Sequence, residues 1–392
     1  MRRVLAVGSC LFALATASCA AIFGFERLTE GPLDDADGST AAPDGAPADA
    51  GVDPRCLTTG YPTAPTEASG GTVTVIGALS LLDFGIGVDG GAGTIYGYNI
   101  DSTCSPTVAT SSCKTNVTPS TFAAYGADKT GTGLDNSAFS LIAYISSVSD
   151  TFGAAAINEG LQAGHYGAVV RVTLWNGQPD DDNVAVEVFP TNGFASGAKP
   201  TFGPADVWRL DQRFQLGSGL DYSKEHSLVA YVRGGQLVAH FPELTLEMLI
   251  GDDSKPFDIT LEDAVLTGQV SSDADAGVLS GGVVAGRWQS AKFLKQVREI
   301  YVKDGNGIKN SVLCDGNPLA IGFYDQVKQN TCDGRDVRAD LKDNAGLPCD
   351  AISAAAHVEG YRVNDVGTWW DGGVFAPRCV DSGIADDDCT SN

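Results

Sequence analysis

The chain has 392 residues, 49 acidic against 25 basic, a formal charge of −24 and a mean hydropathy of −0.01. A surface this acidic repels phosphate backbones and anionic lipid headgroups, which excludes nucleic-acid binding and electrostatic adhesion to membranes. No apolar run approaches the ~20 residues of a spanning helix.

The first element is an export signal. Arg2 and Arg3 precede a short apolar segment, Val4 to Ala17, and small residues lead to Cys19. This order of charged, apolar and small residues marks residues 1–18 as a signal peptide. Thr16-Ala17-Ser18-Cys19 resembles the lipobox of bacterial lipoproteins, with Thr16 where leucine is usual. That resemblance implies diacylglycerol on the Cys19 thiol, and membrane attachment through the lipid. The alternative is ordinary cleavage after Ala15-Thr16-Ala17. Ala20, rather than aspartate, follows the cysteine, and by resemblance to Gram-negative sorting rules this points to the outer membrane.

Residues 19–55 read as an acidic tether. From Thr29 to Arg55 there are four prolines, seven acidic residues and no aromatic, so the segment cannot bury enough apolar surface to offset its ordering entropy. The ectodomain is expected over 56–392. Its strand signals are apolar alternation bounded by Gly, Asn and Asp. They fall at 72–82, 94–100, 139–146, 166–175, 184–190, 206–214, 227–232, 236–241, 244–250, 257–270 and 281–288. Arg233-Gly234-Gly235 joins two alternating runs as a tight hairpin, and Asn176-Gly177 opens a longer connection. The pattern predicts a mainly β fold, an antiparallel β-sandwich of jelly-roll or lectin-like form.

The C-terminal third breaks this rhythm. Ser290 to Lys303 places Phe293, Leu294, Val297, Ile300 and Tyr301 at helical spacing. A second helix is expected from Pro318 to Asn330, a helical turn over Ala351–Ala356, and a returning strand over His357–Val363. A helical insertion at about 289–356 follows, clamped by disulfides; a separate small domain is the alternative.

Beyond Cys10 and Cys19 the cysteines are Cys56, Cys104, Cys113, Cys314, Cys332, Cys349, Cys379 and Cys389. An even set in an exported chain argues for four disulfides. Short separations favour Cys104 with Cys113 and Cys379 with Cys389, leaving Cys56, Cys314, Cys332 and Cys349 to join one another. Zinc is disfavoured, because no CxxC occurs and His165, His226, His240 and His357 are scattered.

Few motifs carry chemistry. Gly85-Ile-Gly87-Val-Asp-Gly90 has dinucleotide-loop spacing but lacks the helix that would receive a pyrophosphate. Asp180-Asp181-Asp182 is a calcium candidate, since adjacent carboxylates need a cation or backbone donors; the alternative is a solvated acidic turn. Asp386-Asp387-Asp388 is weaker, and Asp304-Gly-Asn306-Gly departs from a calcium loop at Ile308 and Lys309. No GxSxG elbow is present. His165 and His240 read as structural histidines, Trp175 and Trp208 as core. Asp206 and Glu187 are acids of the type a glycosidase pairs. Trp369-Trp370 is the candidate stacking surface for a ligand, although adjacent strand residues face opposite ways.

The lipobox-like start, the Ala-Pro-Asp-Gly tether, the turn from Leu174 to Val184, the Ala285-Gly-Arg-Trp288 segment and the late cysteine-bearing helices together resemble surface lipoproteins of myxobacterial type. The resemblance implies a β-rich surface ectodomain and assigns no functional residue. Two functions stay open. One is a non-catalytic cell-surface domain that binds a glycan or an envelope protein or has a structural role, with no cofactor. The other is an extracellular polysaccharide hydrolase using an acidic pair on a sheet face.

Overall fold

The computed structural model describes residues 60–371 except 67–69, 87–92, 105–110, 122–132, 149–152, 196–198, 218–220, 250–255, 274–276, 299, 304–308, 312–317 and 341–345, and in addition Cys389. Signal, tether and Cys19, with Cys56, Cys314, Cys379 and the 386–388 and 304–307 segments, lie outside the described residues, as does most of the Gly85–Gly90 motif.

The chain is mainly β. Strands β1 (Val73–Asp83), β2 (Gly167–Trp175), β3 (Ala185–Phe194), β4 (Trp208–Asp211), β5 (Glu225–His226), β6 (Val229–Arg233), β7 (Gln236–Leu249), β8 (Pro256–Gln269), β9 (Val278–Gln289), β12 (Ala351–Arg362) and β13 (Thr368–Trp370) join one sheet. Its order is β13-β4-β3-β2-β1-β12-β9-β8-β7-β6, with β5 also paired to β3. All pairings are antiparallel except β13 with β4. Strands β10 (Tyr301–Lys303) and β11 (Lys309–Ser311) form a separate ribbon.

The sheet curls until its β6 edge meets the segment leading into β3. Asp181 and Val232 exchange backbone hydrogen bonds (2.9 and 2.7 Å), Val184 N–H donates to Ala230 O (3.3 Å) and Ser227 N–H to Val186 O (2.8 Å). Strands β3-β2-β1-β12-β9-β8-β7-β6 therefore make a ring whose interior is filled by side chains, the expected content of an eight-stranded barrel. The sandwich expected from alternation becomes one curled sheet instead. Small inward residues, among them Ala239, Ala264, Ala354 and Ala356, share the inner core with Val170, Val172, Phe241 and Leu261 and let the walls approach. Along β7 the inward set passes from Leu237, Ala239 and Phe241 to Leu244, Leu246 and Met248, and along β8 from Leu266 and Ala264 to Leu261, Ile259 and Phe257. This switch spans Pro242 and Asp263, the latter at φ +48°, and coils both strands. The runs predicted at 236–241 and 244–250 are thus one strand.

The Gly234-Gly235 turn forms as expected, with Arg233 opposite Gln236. Both glycines have positive φ (+60° and +82°), the requirement of a two-residue hairpin loop that matches strand twist.

Helices α1 (Ala138–Val148), α2 (Ala154–Gln162), α3 (Ser290–Val297) and α4 (Pro318–Asp333) accompany the sheet. Helix α1 replaces the strand expected at 139–146. Leu141, Ile142 and Ile145 are buried at one, three and four residues apart, and Asn136 Oδ1 accepts from Phe139 N–H (3.1 Å) at its start. Residues 94–100, also expected as a strand, contribute one isolated bridge, Tyr98 to Asp135. Ala351–Ala356, expected as a helical turn, opens β12, because alanine's helix preference yields to ladder pairing with Val284–Gln289 of β9. Helix α2 was not predicted; Asn158 fastens it to the Leu82 backbone by reciprocal bonds of 3.0 Å. Between β9 and β12 run α3, the ribbon and α4. Phe293 packs edge-on to Trp288 at 4.7 Å, continuing the inner core.

The disulfides are long-range. Cys113 pairs with Cys349 and Cys332 with Cys389, so the expected Cys104–Cys113 and Cys379–Cys389 loops do not form. Backbone bonds Lys114 N–H to Leu347 O (2.6 Å) and Cys349 N–H to Lys114 O (3.1 Å) bring the first pair together. Cys104 is also disulfide-bonded.

Candidate functional site

Asp181, the centre of the calcium candidate, is fully buried. Its Oδ1 accepts from Gly70 N–H (3.1 Å) and Asn183 N–H (3.0 Å), its Oδ2 from Asn176 N–H (2.6 Å). Backbone donors thus supply the compensation a buried carboxylate needs, at the point where the ring closes. Asp180 is exposed and accepts from Gly234 N–H (2.9 Å) in the hairpin turn, with Arg233 at 3.7 Å. Asp182 belongs to the same turn. Among the described residues no set of three His, Cys, Asp or Glu side chains has metal-binding placement.

Asp206 and Glu187 do not meet as a pair. Asp206 accepts from Thr201 N–H, Thr201 Oγ1, Phe202 N–H and Tyr361 Oη. Burial raises its carboxyl, but these donors outweigh that and hold it below its ordinary value. Glu187 takes Arg171 Nε (2.8 Å) and Nη2 (2.5 Å).

Trp369 and Trp370 divide as strand geometry requires. Trp369 packs on buried Phe189, centroids 5.8 Å apart. Trp370 is 42% exposed, with the Arg209 guanidinium 5.2 Å from its ring centroid and Arg209 Nη2 anchored to Ala195 O (2.8 Å). Trp208 is core, its Nε1 donating to Tyr361 Oη (3.1 Å). Trp175 is also buried. His240 lies under Tyr61 (5.0 Å), and burial lowers its pKa.

The densest group of perturbed acids was not predicted. Strands β7 and β8 place Glu243 opposite Glu262, Thr245 opposite Thr260 and Glu247 opposite Asp258. Arg213, just past β4, reaches this ladder: Nη2 binds Glu247 Oε2 (2.7 Å), Nη1 binds Asp258 Oδ2 (3.1 Å) and Nε binds Asp211 Oδ2 (2.6 Å). Lys292 on α3 binds Glu243 and Glu262, each at 2.8 Å. Burial, then the neighbouring Asp211, pushes the Glu247 carboxyl well above the usual carboxylate range. Glu247 Oε1 is buried and has no donor among the described residues; a proton there can be given to Asp211, which it faces. Glu225 on β5 faces the Thr245 amide and hydroxyl, and burial, followed by the field of Glu243, pushes it up to about 7. Two acids raised by burial beside further carboxylates are the raw material of general acid chemistry. Here, however, the guanidinium of Arg213 occupies the space between three of the carboxylates. The sequence signal was available: Glu243-x-Thr-x-Glu247 and Asp258-x-Thr-x-Glu262 each put polar residues on one strand face. Arg213 and Glu225 arrive from distant segments and left no local trace.

A second buried acid lies behind β12. Asp336 accepts from Ser353 N–H (2.7 Å) and Ser137 Oγ (3.0 Å) and shares a 2.5 Å contact with Ser353 Oγ. Burial, only partly offset by these bonds, pushes it up to about 7. Neither serine has a histidine partner, so the group joins α1 to the sheet rather than forming a nucleophile.

No protein-family model matches the chain, and no curated protein or solved structure matches it either.

Proposed function

We propose that this chain is a lipid-anchored, non-catalytic ectodomain of the outer membrane, akin to myxobacterial-type surface lipoproteins, that binds an envelope glycan through Trp370. Cys19 supplies the anchor and the acidic tether the stand-off. The observation that carries the reading is the contrast within one strand: Trp369 is packed into the fold, while Trp370 offers its ring to solvent with Arg209 fixed beside it. An indole face suits the apolar face of a sugar ring, and the guanidinium adds donors for hydroxyls or acidic groups. Affinity electrophoresis in gels containing polysaccharide from the envelope tests it. Wild-type protein is retarded, and Trp370→Ala weakens apparent binding about tenfold, near 1.4 kcal/mol; unretarded wild-type protein would overturn the glycan reading. Palmitate-analogue labelling lost in Cys19→Ala tests the anchor.

The hydrolase reading is favoured by one observation, the raised carboxyls of Glu225 and Glu247 beside further carboxylates. It requires polysaccharide cleavage by wild-type protein that falls at least a hundredfold in Glu225→Gln, the usual scale of a general acid.

A further inference from the structure

We propose that the paired arms 211–217 and 221–226 form a cover on the free edge of β7 that opens in alkaline solution. Strand β7 pairs with β8 along 236–249 but with β6 only along 236–240. Among the described residues no strand pairs with 243–249 on the β6 side, and an unpaired edge of this kind needs protection. The two arms supply it. They are joined by Gln215 with Ser223, Leu216 N–H to Tyr222 O (2.8 Å) and Lys224 N–H to Phe214 O (2.7 Å). Arg213 fastens one arm to Glu247 and Asp258, and Glu225 on the other faces Thr245.

The charge balance of this fastening depends on protons. Facing it are Asp211 from β4, Glu225 from β5, Glu243 and Glu247 from β7, and Asp258 and Glu262 from β8. Opposing these six carboxylates are Arg213, Lys292 from α3 and Lys224, whose Nζ binds Arg213 O (2.7 Å). On the far side Arg171 binds Asp221 O (2.8 Å), and Glu187 Oε1 accepts from Ser223 N–H (3.3 Å). With Glu225 and Glu247 protonated, four negative charges meet three positive ones. With both ionised the excess grows by two, in a place where Glu247 is closed to water, and moving the arms outward relieves it.

Trypsin reads the opening directly, because its sites Arg213 and Lys224 lie on the arms. Full-length protein is digested from pH 6.5 to 9 and cleavage at the two sites is followed by mass spectrometry, normalised to a free peptide spanning 208–230. Normalised cleavage rises at least tenfold in wild-type protein, since the open fraction grows up to tenfold per pH unit for each proton released. Glu247→Gln rises less steeply than wild-type protein, because Glu225 alone is left to lose a proton. A flat wild-type profile, or a Glu247→Gln profile rising as the wild type does, would overturn the proposal. So would parallel cleavage at Arg171 and Arg287 in the barrel, which would make the opening global. If circular dichroism finds Glu247→Gln unfolded, Glu225→Gln takes its place and must rise less steeply than wild-type protein.

Discussion

Replacing Asp181 by alanine tests whether backbone donors, and no cation, hold the closure of the ring. The substitution strands the N–H groups of Gly70, Asn176 and Asn183, which the carboxylate now accepts at 3.1, 2.6 and 3.0 Å. A buried donor without a partner costs about 1–3 kcal/mol, more where the lost acceptor was charged. Water entering the vacated space recovers part of this, leaving a loss of about 3–5 kcal/mol, a large share of the roughly 5–15 kcal/mol that holds a domain together. Asp181→Asn retains Oδ1 but turns an NH2 group toward Asn176 N–H, and loses about 2 kcal/mol. Urea unfolding followed by tryptophan fluorescence suits the measurement, because Trp175 Nε1 bonds to Gln178 O in the same turn (2.9 Å). A loss below about 1 kcal/mol in Asp181→Ala would refute the backbone account. So would a chelator lowering wild-type stability to the level of the variant, for calcium would then be the carboxylate's partner.

Asp336 gives a pH dependence with a defined sign. Its carboxyl stands at about 7 in the fold against 3.8 ordinarily, so the stability it contributes is complete below about 3.8 and is lost as the pH rises to about 7. Relative to Asp336→Asn, wild-type protein should lose up to about 4 kcal/mol between pH 4 and 7 in denaturant titrations; a constant difference would contradict it. Trp369→Ala should cost about 3 kcal/mol through its contact with Phe189, while Trp370→Ala costs under about 1 kcal/mol and acts on binding alone; equal thermal shifts would refute the division. Opening Cys113–Cys349, 236 residues apart, should destabilise more than opening Cys332–Cys389, 57 apart. Loop closure alone gives roughly 5.5 against 4.2 kcal/mol, and paired Cys→Ala variants compared by calorimetry decide it.

Local chemistry was legible where it acts on neighbouring residues. The 233–235 hairpin, the alternation of β1, β2, β7, β8 and β9, and the helical spacing in α3 and α4 could be read because period and turn residues act within a few positions. Helix α3 ends at Val297, short of the expected Lys303, as boundaries are the least determined part of a pattern. The region 139–146 was misread as a strand because a short apolar run satisfies both periods; Asn136, which caps its start, was the overlooked sign.

By itself the sequence determined an acidic, β-rich, disulfide-bonded chain with helices late in it. Composition and periodicity are properties of the chain at short range, and folding preserves them. Only the tertiary structure decided that the sheet curls into a ring and that Cys113 pairs with Cys349 rather than Cys104. It alone seated Asp181 on three backbone amides, and it alone gathered Asp211, Glu247 and Asp258 around the Arg213 guanidinium. These pairings join residues tens to hundreds of positions apart, and their energies come from burial and from the partners that burial supplies, neither of which a linear pattern records.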